Sequence, residues 1–134
     1  MTDHVYIAGP LFDEGERWWI EKVDSVVAAA GFTTFLPHRD NPAKTAANVG
    51  QIFASNRAAL DNCSMVVASL NGVITDDGTA WEIGYAYALG RRIIGIHTDW
   101  RSRFPSEVVN LMVERSLTQL ARSLDELGEL LTKR

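Results

Sequence analysis

Two hydrophobic rhythms alternate along this chain. Short, nearly continuous apolar runs fall between longer stretches whose apolar residues recur every three or four positions. His4 to Ala8 reads as a first strand, ended by Gly9-Pro10. Glu14 to Ala30 reads as a helix, with Trp18, Trp19, Val23, Val26, Val27 and Ala30 at helical spacing and Gly31 as its stop. Phe32 to Leu36 is a short strand broken by Pro37, and the polar stretch His38 to Asn48, with Pro42 inside it, reads as a loop. A helix from Val49 to Leu60 follows, with Ile52, Phe53 and Leu60 on its apolar side. Met65 to Leu70 is almost wholly apolar, the signature of a strand covered on both faces. Thr79 to Leu89 is a helix stopped by Gly90, and Arg92 to His97 a fourth strand. A short helix over Ser106–Glu114, an edge strand over Leu117–Leu120 and a last helix over Leu124–Leu131 complete the order. Such alternation predicts an α/β domain of the doubly wound, flavodoxin-like or Rossmann-like kind. Its mainly parallel sheet has about five strands flanked by helices, and residues 1–134 form one domain.

Composition narrows the function classes. Of 134 residues, 46% are hydrophobic and 22% charged, as in ordinary globular proteins, so the chain is long enough for a core without staples. The net charge is −4 with no block of Lys or Arg, which argues against wrapping a nucleic-acid polymer. Cys63 stands alone, so no internal disulfide forms, and its place before an apolar strand suits a core residue better than a nucleophile. No apolar run approaches the roughly 20 residues of a membrane span, and the first residues lack a basic-then-apolar leader. A cytoplasmic protein without membrane contact is the expectation.

The common cofactor fingerprints are missing. No G-x-G-x-x-G follows the first strand and no G-x-x-x-x-G-K-[ST] occurs anywhere. The turn Ala8-Gly9-Pro10-Leu11-Phe12 is poor in hydroxyls that would cradle a flavin phosphate. His4, His38 and His97 have no metal-ligand spacing with one another or with Cys63. We therefore expect neither cofactor nor metal. What remains is a cluster of carboxylates, Asp76, Asp77 and Glu82, after the third strand, where open α/β sheets place their ligands.

Glu82 has two readings from sequence. Thr79-Ala80-Trp81-Glu82 is a T-x-x-E capping box, in which the Glu serves the helix start. A Glu in a first turn is also kept ionised by the helix dipole, and an ionised carboxylate beside a cleft can attack a sugar carbon. Asp76 is either a solvated turn residue or an acceptor for ligand hydroxyls or base nitrogens. Gly78 is expected at positive φ and Gly84 at a close helix–sheet contact.

Three blocks together resemble the nucleoside 2-deoxyribosyltransferase family: Tyr6-Ile7-Ala8-Gly9-Pro10-Leu11-Phe12, the run Asp76 to Ala86, and Asn110-Leu111-Met112. The related nucleoside 5′-monophosphate N-glycosidases share this fold and its Glu. The resemblance implies that Glu82 is the nucleophile at C1′ of the deoxyribose and that Tyr6 holds it by a hydrogen bond. It implies a substrate site with Asp76 at the sugar 5′-hydroxyl or the base, together with Gly9, Phe12 and Gly78. It further implies that Asn110 is lent by a neighbouring subunit, making the enzyme a homo-oligomer that takes a nucleoside and a free nucleobase. Trp81, Trp18 or Phe12 would wall the base. One departure concerns Asn56, which stands where the transferases place an Asp near the base; Asp61, five residues on, is a poor substitute. The monophosphate hydrolases tend to carry Ser six residues before the Glu, where this chain has Asp76. A carboxylate repels a phosphate dianion and accepts well from a hydroxyl, which favours a nucleoside. His38-Arg39 pulls the other way, since an Arg at a strand end can hold phosphate. Two rivals to base exchange stay open: an N-glycoside hydrolase, and a non-catalytic domain that senses a nucleotide derivative.

Overall fold

The computed structural model of the chain describes residues 3–102 and 104–133. Its strands are β1 (His4–Ala8), β2 (Thr33–Phe35), β3 (Met65–Ser69), β4 (Arg92–Ile96) and β5 (Gln119–Ala121). Its helices are α1 (Glu14–Ala29), α2 (Pro37–Asp40), α3 (Val49–Asn62), α4 (Asp77–Ala88), α5 (Leu111–Glu114) and α6 (Leu124–Thr132). The strands form one parallel sheet in the order β2-β1-β3-β4-β5. The expected α/β doubly wound architecture is present. Winding reverses between β1 and β3, so the chain leaves those neighbouring strands in opposite directions and a crevice opens at their C-terminal ends.

Strand alternation divides the core between two faces. Val5, Ile7, Met65, Val67, Ile94 and Ile96 point to one side, where α1 brings Ile20, Val23 and Val27 and α6 brings Leu127 and Leu131. Tyr6, Ala8, Val66, Ala68 and Ile93 point to the other, against Leu60 of α3, Ile83 and Ala86 of α4 and Val113 of α5. Each fully buried aliphatic side chain contributes about 1.5–3 kcal/mol. Cys63 is buried in the second layer, its thiol donating to Leu60 O at 3.1 Å, as a core residue.

Several local expectations shift. The loop expected over 38–48 contains the single turn α2, because Pro37 suits a first helical position and Asp40 accepts from Leu36 N at 2.8 Å. The helix expected over 106–114 shrinks to α5, because Asn110 caps it by accepting from Met112 N at 2.8 Å and Phe104 bridges Glu107 just before. The edge strand moves to Gln119–Ala121. On α1 the buried stripe is Ile20, Val23 and Val27, while Trp18 is 60% exposed under Lys22. The capping box of this chain lies at α1: Asp13 accepts from Glu16 N at 2.7 Å, and Glu16 accepts from Asp13 N at 3.2 Å.

Candidate active site

A cleft of 920 Å³ opens at the β1–β3 switch point. Gly9 to Phe12, His38 and Asn41 to Lys44, Ile52, Phe53 and Asn56 of α3, and Asp76, Gly78, Trp81 and Glu82 are among the residues lining it. Gly9 lets the walls meet. A Cβ there would lie 2.7 Å from Ile20 Cδ1 and 3.1 Å from Ser69 Cβ, so the chain leaving β1 passes directly between α1 and the end of β3.

Helix α4 delivers the carboxylates. It starts at Asp77, two residues ahead of the expected Thr79, because Asp76 is its cap: Asp76 Oδ2 accepts from Thr79 N at 3.0 Å and from Thr79 Oγ1 at 2.9 Å. Thr79 therefore points inward and buried, and there is no capping box with Glu82. Gly78 falls inside the helix rather than at positive φ. Gly84 is exposed, and a Cβ there would meet nothing within 4 Å, so it marks no close contact.

The earlier start moves Glu82 into the second turn, beyond the strongest reach of the helix dipole. Its side chain is half-buried, lines the cleft, and its Oε2 accepts the hydroxyl of Tyr6. Tyr6 reaches it because residues 6 and 8 of β1 face the α3–α4 layer. The phenol is fully buried and stacks on Phe35 with ring centroids 5.5 Å apart. Burial, then the Glu82 charge, push its pKa far above the ordinary phenol range, so Tyr6 is a permanent donor. For Glu82 burial dominates and lifts the carboxyl to about 7; the Tyr6 hydrogen bond opposes this and the Asp76 charge adds to it. Burial thus wins over the ionising influence expected from the helix start.

The other predicted residues divide. Gly9, Phe12, Asn56, Asp76 and Gly78 all line the cleft, Phe12 with 76% of its surface exposed. Asn110 caps α5 and is not among the residues lining the cleft. Trp81 lines the cleft, and Trp18 does not. Arg39 is held by Asp24 at 3.1 Å and Asp40 at 2.8 Å, away from the lining, so its proposed pull towards phosphate is lost. Asp61 accepts from Tyr85 and also lies outside it. Sequence reasoning missed Arg17, Asn41, Lys44 and Arg57 as lining residues. Their one available signal was position, on segments that leave the C-terminal ends of strands.

Among the described residues, no group of three His, Cys, Asp or Glu is placed to hold a metal ion. Among the described residues, no helix is long and apolar enough to cross a membrane.

Solved structures of known proteins share this fold. A 2-deoxyribosyltransferase from Bacillus psychrosaccharolyticus shares the fold with a TM-score of 0.80 at 22% identity, over 93% of this chain and 90% of that one. A 2-desoxiribosyltransferase from Leishmania mexicana does so with a TM-score of 0.74 at 24% identity, over 98% and 97%. A CMP N-glycosidase from Clostridium botulinum follows with a TM-score of 0.62 at 19% identity, over 96% and 97%. No curated protein matches the sequence. The sequence model of the nucleoside 2-deoxyribosyltransferase family matches residues 5–117, which span β1 to the end of the cleft-bearing helices and beyond, and the chain belongs to that family.

Proposed function

We propose that the cleft moves a 2-deoxyribosyl group between nucleobases through a covalent ester on Glu82. The observation that carries this reading is the pairing of a cleft-lining carboxylate with a buried, permanently protonated phenol. In the first step a Glu82 oxygen bonds to C1′ of a 2′-deoxynucleoside, the C1′–N bond breaks, and the base leaves with the bonding pair and takes up a proton. In the second a nitrogen of another base attacks C1′ from the vacated side, the ester C–O bond breaks, and Glu82 returns as a carboxylate. Two inversions give net retention. Glu82 must be ionised to attack, and the Tyr6 hydroxyl holds one oxygen so that the other faces the sugar.

Asp76 supports a nucleoside substrate. One of its oxygens is committed to Thr79, and the other is available for a 5′-hydroxyl. Phe12, Phe53 and Trp81 supply flat apolar surface for a base. Asn110 joins the site only from a second copy, so the active species is a homo-oligomer. The test supplies a 2′-deoxynucleoside together with a different free base. A new nucleoside, absent with Glu82→Gln, is the expected result; free sugar alone assigns hydrolysis, and tight binding with no turnover refutes both.

Hydrolysis is the second reading, favoured by Arg17, Lys44 and Arg57 along the cleft, which a 5′-phosphate would meet. Arg17 is already engaged with Leu11 O at 2.9 Å, and Arg57 lies 3.9 Å from Asp61. Repeating the assay with the 5′-monophosphate decides this point.

A further inference from the structure

The cleft holds two side-chain amides, Asn41 and Asn56, and they are bonded to each other: Asn41 Nδ2 donates to Asn56 Oδ1 at 2.7 Å. Asn41 follows α2, and Asn56 sits on α3, fifteen residues away. Ile52 and Phe53 precede Asn56 by four and three positions, so all three share one face of the helix, and all three line the cleft. A base lying against Phe53 would present its polar edge to Asn56.

Three other polar lining side chains are already engaged within the fold. Asp76 caps α4, Arg17 serves Leu11 O, and His38 lies 3.0 Å from Glu21. A neutral amide matches a neutral base without a desolvated charge.

We propose that Asn41 and Asn56 form a reversible base reader, in which the two amides flip together to accept either an amino-bearing or an oxo-bearing nucleobase. This rests on the reading of the cleft as a nucleoside site. The coupling is electrostatic. An amide nitrogen and oxygen have nearly the same shape, so a 180° turn of either side chain costs little sterically. At 2.7 Å, however, turning only one amide sets oxygen against oxygen or nitrogen against nitrogen, so both must turn. In the observed polarity the Asn56 oxygen is occupied and its free group is a donor, suited to a carbonyl oxygen on the base. In the reversed polarity Asn56 donates to Asn41, and its free group is an acceptor, suited to an exocyclic amine. A base-exchange cycle places two different bases in one cleft, and this pair serves both without rebuilding the site. Asn56 is the specificity residue, and Asn41 is a positioning residue that acts through it.

The test is a binding titration on Glu82→Gln protein, which needs no turnover. The probes are two nucleoside pairs that differ only by amine against carbonyl: 2′-deoxyadenosine with 2′-deoxyinosine, and 2′-deoxycytidine with 2′-deoxyuridine. In the Glu82→Gln background the two members of each pair should bind within about 5-fold of each other. Adding Asn41→Asp leaves an acceptor-only partner, which fixes Asn56 with its oxygen outward. The Kd ratio should then move about 10- to 100-fold towards the amino member of both pairs, the size of one correct against one mismatched base contact. Asn56→Asp should move it in the same direction. A purely structural role for the pair would weaken all four probes together and leave the ratios unchanged, which overturns the proposal. So does a Glu82→Gln background that already separates either pair by more than about 5-fold. If the ratios shift but the parent shows no turnover, the reader stands and the transferase reading falls. If none of the four probes binds, both fall.

Discussion

One edge of this sheet carries two contrasting regions. At the C-terminal ends of β1 and β3, polar groups face an open cleft of 920 Å³. Past β4, towards β5, the hollow is only 230 Å³, and there the turn residues Asn71 and Gly72 leaving β3 are tied to those leaving β4. Asn71 Nδ2 donates to Thr98 Oγ1 and Asn71 Oδ1 accepts from Thr98 N, both at 2.8 Å. Asp99 takes Arg101 at 2.5 Å and the amide of Gly72, at φ +114°, at 3.1 Å. Ser102 donates to Phe104 O and Glu107 O. Chain winding explains the difference. The reversal between β1 and β3 separates the outgoing segments, whereas from β3 to β5 they run in the same sense and stitch together. In the first region burial makes the Glu82 carboxylate costly to hold. In the second, Arg101 and backbone amides stabilise the Asp99 carboxylate.

Variants at the two regions should separate these behaviours. The largest effect belongs to Glu82→Gln, which should lower base exchange by about 10³-fold or more if the nucleophile is lost; steady-state rates that match the parent would end the catalytic reading. Tyr6→Phe comes next. It should lower kcat by roughly 10- to 100-fold, and the acid limb of the pH–rate profile should move to higher pH, because the lost hydrogen bond is what lowers the Glu82 pKa. In the parent, kcat/KM should fall below about pH 7 as Glu82 takes up a proton.

A third effect is on stability. The Glu82 carboxyl is raised from 4.5 to about 7 in the folded chain, so folding favours its protonated form. That contribution is complete below about pH 4.5 and is lost as pH rises to 7. At pH 8 Glu82→Gln should therefore be more stable than the parent by roughly 1–3 kcal/mol, measured by urea unfolding. Asp99 is the opposite case. Its carboxyl is held below the usual range by Arg101 first, so its contribution is present above the ordinary Asp range and lost as pH falls. Asp99→Asn should cost roughly 0.5–1.5 kcal/mol at pH 7 and leave kcat unchanged. Equal stability shifts of one sign at both positions would erase the distinction between the regions.

The sheet was legible because buried parallel strands are apolar on both faces, so Met65–Ser69 and Arg92–Ile96 announce themselves. Glu82 and Asp76 were legible as a carboxylate cluster after a strand. The start of α4 was not, because Asp76 and Thr79 are both competent caps and only the path of the loop chooses between them. Locating Glu82 one turn too early then hid the importance of burial for its charge. Asn41 was illegible for another reason. Its role depends on meeting Asn56 from a polar stretch with no periodicity, and no local pattern encodes that encounter.

Position 76 has a second consequence. Its side chain both launches α4 and borders the cleft, so any replacement must first be able to start a helix. Ser satisfies that demand nearly as well as Asp, yet it removes a negative charge from the sugar end of the proposed site. On the proposed nucleoside reading, Asp76→Ser alone would open this cleft to phosphorylated substrates while keeping the scaffold beneath it.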